Sequence, residues 1–251
     1  MDVVTLGMAK AADKDHRGVP LRVFDPVRDV PGTLVHLEAD VLAGSNGATV
    51  TTWQASFGGF ALNRTLASKP TLLTNARNGH KAVRFTPSTY LGNSDTFGSG
   101  GLGVMAGWPL PLTFVIVFRV SANWAQNNDA VLFGSTGVNV RMAAAGNSLH
   151  VNAGLDSSKY GPPFNDGAWH VAIITIGSGG AAVYVDGFVT TVSGAAVGTN
   201  TMDSLFIGPG QGSPPTAGTL DVGEVIVANQ PVSPSRADII TQNIAKKWGL
   251  S

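Results

Sequence analysis

Trp169-His170-Val171-Ala172-Ile173-Ile174-Thr175-Ile176, Gly177-Ser178-Gly179-Gly180, Ala181-Ala182-Val183-Tyr184-Val185, Asp186-Gly187 and Phe188-Val189-Thr190-Thr191-Val192 follow one another without a break. The first, third and fifth pieces are rich in β-branched residues, which suit a pleated, half-buried surface. Asp-Gly between them is the composition of a type I′ turn, whose two central residues both need positive φ. The glycine-rich joint marks a second turn. The stretch predicts three consecutive antiparallel strands.

Strand signals continue on both sides of it. Leu112 to Val120 is almost unbroken apolar text, as expected of a strand covered on both faces. Val35–Ala39, Thr49–Trp53, Lys81–Phe85, Ala130–Phe133, Val138–Met142, Ser148–Asn152, Ser204–Ile207 and Thr219–Ala228 are shorter strand candidates. One helix closes the chain over 234–248. Ser233 is its N-cap and Pro234 its first residue. Ala237, Ile240, Ile244 and Trp248 form its apolar stripe, and Gly249 stops it. Many short strands, glycine-rich turns and one terminal helix predict an all-β, antiparallel β-sandwich.

The composition narrows the function. The chain has 251 residues, with 16 Lys+Arg against 16 Asp+Glu, so its formal net charge is zero. Nucleic-acid binding needs clustered cations, and nothing here supplies them. Charged residues are 13% of the chain, glycine contributes 32 residues and cysteine none. Disulfides, thiolate metal sites and cysteine nucleophiles are therefore excluded. The sequence starts without a basic, then apolar, leader pattern, and its longest apolar run is too short to span a bilayer. No membrane insertion is expected. Residues 1–32 are rich in charge and interrupted by Pro20, Pro26 and Pro31. They are read as an extended N-terminal arm for assembly or anchoring, with the sandwich and its helix over 33–251.

Several of these pieces together resemble a family. Asp166-Gly167-Ala168-Trp169-His170-Val171-Ala172 followed by Ala182-Val183-Tyr184-Val185-Asp186-Gly187 resembles the concanavalin A-like, laminin-G-like jelly roll. Leu37-Glu38-Ala39-Asp40, Val50-Thr51-Thr52-Trp53 and Arg84-Phe85 are similar to the opening of its bacterial and phage members. Gly223-Glu224-Val225-Ile226-Val227 and Lys246-Lys247-Trp248-Gly249-Leu250 are similar to their closing strand and helix. Members often carry Asp and Ser-Gly after the tryptophan, where this chain has Gln54, Ser56, Phe57 and Gly58. Val4-Thr5-Leu6-Gly7-Met8-Ala9-Lys10-Ala11 is similar to the start of phage minor tail proteins. The resemblance implies a virion protein of a bacteriophage, assembled in the host cytoplasm. It would be a minor tail protein, or a capsid decoration protein of the same fold. Its partners would be other virion proteins reached through the arm, further copies of itself, and a host glycan. A free carbohydrate-binding module is the further alternative.

Jelly-roll glucanases need carboxylates alternating along one strand face. The two glutamates, Glu38 and Glu224, form no such pattern, and Asp221 and Glu224, three apart, are expected on opposite faces of a strand. No Gly-x-Ser-x-Gly elbow accompanies His16, His36, His80, His150 or His170. The chain is accordingly expected not to be an enzyme. Sugar binding would use aromatic platforms beside amides, and Trp124, Asn127, Asp129 and Tyr160 are the candidates, with Trp108 in similar surroundings. Trp53, Trp169 and Trp248 read as core. No cofactor is implied beyond the single calcium ion that some relatives hold at a sandwich rim, with Asp156, Asp166, Asp186 and Asp203 as turn carboxylates.

Overall fold

The computed structural model describes residues 24–63, 69–92, 107–125, 130–135, 137–142, 148–154, 159–160, 163–177, 179–193, 198–209 and 216–250. Its strands, in chain order, are β1 Thr33–Glu38, β2 Thr52–Gln54, β3 Ala61–Asn63, β4 Thr71–Arg77, β5 His80–Phe85, β6 Leu91–Gly92, β7 Leu112–Val120 and β8 Ala130–Gly134. They continue with β9 Asn139–Met142, β10 Leu149–Asn152, β11 Lys159–Tyr160, β12 Trp169–Gly177, β13 Gly180–Val185, β14 Phe188–Ser193, β15 Phe206–Ile207 and β16 Leu220–Ala228. The helices are α1, Pro26–Asp29, and α2, Pro234–Trp248.

Two antiparallel sheets face each other, as the strand pattern predicts. The first runs β14-β13-β12-β7-β16-β5-β4, with β1 also paired to β16. The second runs β11-β10-β9-β8-β15-β6-β3-β2. Between them lies the larger core, with Trp53, Leu62, Phe85, Phe114, Phe118, Phe133, Val140 and Val225 among its fully or nearly fully buried members. The opposite face of the first sheet is buried too. There Val115, Val117, Trp169, Val171, Ile173 and Ile226 pack with Ala237, Ile240, Ile244 and Trp248 of α2. This double cover explains why β7 and β16 read as continuous apolar runs rather than alternating ones.

The local signals are where they were expected. Asp186 and Gly187 join β13 to β14 with φ of 51° and 86°, as a type I′ turn requires. Ser233 caps α2 by accepting the Arg236 N–H, and Gly249 ends it in the left-handed conformation. Strands β3, β4, β6 and β11 were not anticipated, and Thr49–Trp53 contributes only its last two residues to β2. These pieces are short or polar, and their partners rather than their own sequence make them strands. Of the proposed arm, residues 1–23 lie outside the described residues. Val30 beyond α1 is fully buried in the layer beneath α2, and Arg236 Nε donates to the Asp29 carbonyl at 3.0 Å. Among the described residues no helix is long and apolar enough to cross a membrane.

Candidate functional site

The chemistry-bearing side chains gather on the helix-covered face of the first sheet. Strand β16 carries a bulge there: Val222 pairs with Phe118 and Glu224 with Val117, so Gly223 is an extra residue. Leu220 and Val222 before the bulge, and Val225 and Val227 after it, point into the sandwich core. Asp221 and Glu224 therefore share the outward face, which corrects the expectation that they oppose each other; the extra residue reverses the alternation between them. Asp221 accepts from Arg84 Nε at 2.7 Å and Arg119 Nε at 2.9 Å. Glu224, 1% exposed, accepts from His36 Nε2 at 2.9 Å, Lys247 Nζ at 2.9 Å and Trp248 Nε1 at 3.2 Å. Burial alone would raise its pKa, but the His36 hydrogen bond and the Lys247 charge outweigh it and hold Glu224 at about 2. It is ionised throughout the neutral range and accepts hydrogen bonds only.

Beside this network is an open cavity of about 340 Å3, walled by Arg77, Arg119, Gly167, Trp169 and Leu250 among others. The Arg119 guanidinium carbon lies 5.2 Å from the centre of the Trp169 ring. That is cation–π distance. Arg119 is tied below to Asp221, and Arg77 Nη2 donates to the Gly249 carbonyl at 2.6 Å. Trp169 stacks on Trp248, ring centres 5.3 Å apart, and its buried indole N–H has no hydrogen-bond partner among the described residues. Guanidinium groups beside an aromatic ring suit ligands rich in hydroxyl or carboxylate oxygens.

The sequence-derived candidates fare unevenly. Trp124 is 4% exposed and packs in the sandwich core, so it is not a surface platform. Tyr160 ends β11 in register with Leu149 of β10. Asn127 and Asp129 lie outside the described residues, as does Asp156. Trp108 is half-buried against the core and bridges Met202. Trp169, read as core, is buried in the layer beneath α2 and also borders the cavity. The cavity was invisible because Arg77 and Leu250, far along the chain, help build it.

Two other groupings form. His170 lies between turn carboxylates, with Nδ1 2.6 Å from Asp186 and Nε2 3.1 Å from Asp166. Asp186 also accepts the Val171 N–H, so it does more than shape its turn. Among the described residues no group of three His, Asp or Glu side chains is arranged to hold a metal ion. On the outward face of the second sheet, Arg141 pairs across strands with His150 and Asn139 with Asn152.

The architecture is an antiparallel jelly-roll β-sandwich with one C-terminal helix. No protein-family model and no curated protein matches the chain. Solved structures do. Trypanosoma rangeli sialidase in complex with sialic acid is similar at 15% identity and TM-score 0.56, over 94% of this chain and 36% of that one. The binding domain of Paraclostridial Mosquitocidal Protein 1 is similar at 10% identity and TM-score 0.58, over 86% of this chain and 52% of that one. Domain 4 of AbnA, an extracellular GH43 arabinanase of Geobacillus stearothermophilus, in complex with arabinotriose, is similar at 15% identity and TM-score 0.56, over 84% of this chain and 98% of that domain. The chain thus spans about a third of the sialidase chains. These neighbours correct the expectation that the chain is not an enzyme. The same sandwich occurs within sialidase chains as well as in binding domains, so neither the fold nor the missing glucanase pattern removes catalysis.

Proposed function

We propose that the chain is a lectin-like carbohydrate-binding module whose ligand sits in the cavity of Trp169, Arg119 and Arg77. The observation that carries this reading is the Arg119–Trp169 pair at the cavity wall: an indole, 9% exposed, beside fixed guanidinium donors on a cavity open to solvent, in a chain otherwise poor in charge. An arabinotriose complex of a domain with this fold supports it. Two arginines favour an acidic over a neutral sugar. The test is titration of the intact protein with neutral and acidic oligosaccharides, followed by tryptophan fluorescence. Saturable binding that weakens about tenfold in Arg77→Ala is expected, the loss typical of one charge-assisted hydrogen bond. A glycan screen without a ligand, or binding indifferent to Arg77, would overturn the reading.

The setting proposed for this module is a bacteriophage virion, with residues 1–32 as the anchoring arm and other virion proteins as partners. The similarity of residues 4–11 to minor tail proteins supports it. Deleting residues 1–23 is expected to abolish incorporation into particles while the sandwich melts as before. Normal incorporation of the truncated chain would remove the arm's role.

A further inference from the structure

Ser56, His36 and Glu224 lie in one hydrogen-bonded line, although 20 residues separate the first pair and 188 the second. Glu224 is the buried end. It accepts from His36 Nε2 at 2.9 Å, and its other oxygen is taken by Lys247 and Trp248. A carboxylate acceptor at Nε2 requires the proton of a neutral imidazole to be there, which leaves Nδ1 with its lone pair. Ser56 Oγ stands 2.8 Å from Nδ1 and 3.2 Å from the His36 carbonyl oxygen, so its one proton has both acceptors within reach. The imidazole is buried, while Ser56 is exposed at the β2–β3 turn, closed by Ala55 N–H to the Phe60 carbonyl at 2.7 Å. This is a hydroxyl, a base and an orienting carboxylate, in order of increasing burial.

We propose that Ser56 is an acyl-transfer nucleophile, with His36 as its base and Glu224 as the positioning residue, acting on short-chain carboxylic esters. Ser56 Oγ attacks the ester carbonyl as its proton passes to His36 Nδ1. The imidazolium, held by Glu224, returns that proton to the departing alkoxide, releasing the alcohol and leaving Ser56 acylated. Water then attacks the acyl group, gives its proton to His36 and releases the acid, restoring the serine. Short acyl groups fit because Ser56 stands on an open turn. Its neighbour Phe57, 39% exposed, is the apolar surface at hand, and the exposed Gly58 and Gly59 put no side chain over the turn.

The test uses the full chain. Incubation with a fluorophosphonate should add one label, located to Ser56 by peptide mass spectrometry. p-Nitrophenyl acetate should be hydrolysed with a burst from acyl-enzyme. Ser56→Ala removes an exposed hydroxyl and should melt like the parent, yet lose the label and about a hundredfold or more of kcat/KM. Ser56→Cys should restore a covalent acyl adduct. A folded parent that leaves Ser56 unlabelled overturns the proposal, and so does Ser56→Ala hydrolysing ester as fast as the parent. Should Ser56→Ala fail to fold, labelling of the parent decides. A purely structural Ser56 would shift the melting point but form no adduct.

Discussion

Asp221 and Glu224, three residues apart on β16, stand on the same face of the sheet, each within hydrogen-bond distance of cationic side chains. The bulge at Gly223 makes this possible, and Trp248 makes Gly223 necessary. A Cβ at residue 223 would come within 2.0 Å of the Trp248 ring. The indole cannot yield, because it is fully buried and its N–H is bonded to Glu224. Gly223→Ala is expected to cost about 1–3 kcal/mol, the usual range for overpacking, measured by urea unfolding. An unchanged midpoint would mean that Trp248 is not seated there.

Glu224→Gln should be among the most damaging single changes. It strips a buried carboxylate from Lys247 and His36, and breaking such a pair typically costs about 3–5 kcal/mol.

The same residue sets an acid limit. Its pKa falls from 4.5 to about 2 on folding, so its contribution is present above 4.5 and is lost as the pH drops towards 2. Unfolding free energy measured across that interval should decline in the parent, with this component missing in Glu224→Gln.

His170 works in the opposite sense. Burial would lower its pKa, but the hydrogen bond and charge of Asp186, then of Asp166, outweigh burial and raise it above 6.5. The protonated form is stabilised by folding, so its contribution is complete below 6.5 and disappears as the pH rises through the raised value. Asp186→Asn should bring the NMR titration midpoint of His170 down and flatten that part of the stability profile.

Trp124→Ala separates core from platform. With Trp124 packed between the sheets, the variant should lose about 3–5 kcal/mol in chemical denaturation, as large aromatic truncations do. A surface platform would instead lose ligand with stability intact.

The hairpin over 180–193, the helix over 234–248 and the apolar strands β7, β12 and β16 were legible in the amino-acid order. Each depends on something local: positive φ at Asp186 and Gly187, a Ser233 oxygen three residues from the N–H it caps, or the period of the apolar side chains. The site was not legible. Local pattern offered Trp124 as a sugar platform, whereas it is buried, and simple alternation put Asp221 and Glu224 on opposite faces. The bulge, the layer beneath α2, the Arg77–Arg119–Trp169 cavity and the Ser56–His36–Glu224 line join residues separated by most of the chain. Their geometry follows from how α2 and β1 dock on β16, and packing between distant segments leaves no trace in the spacing of either one.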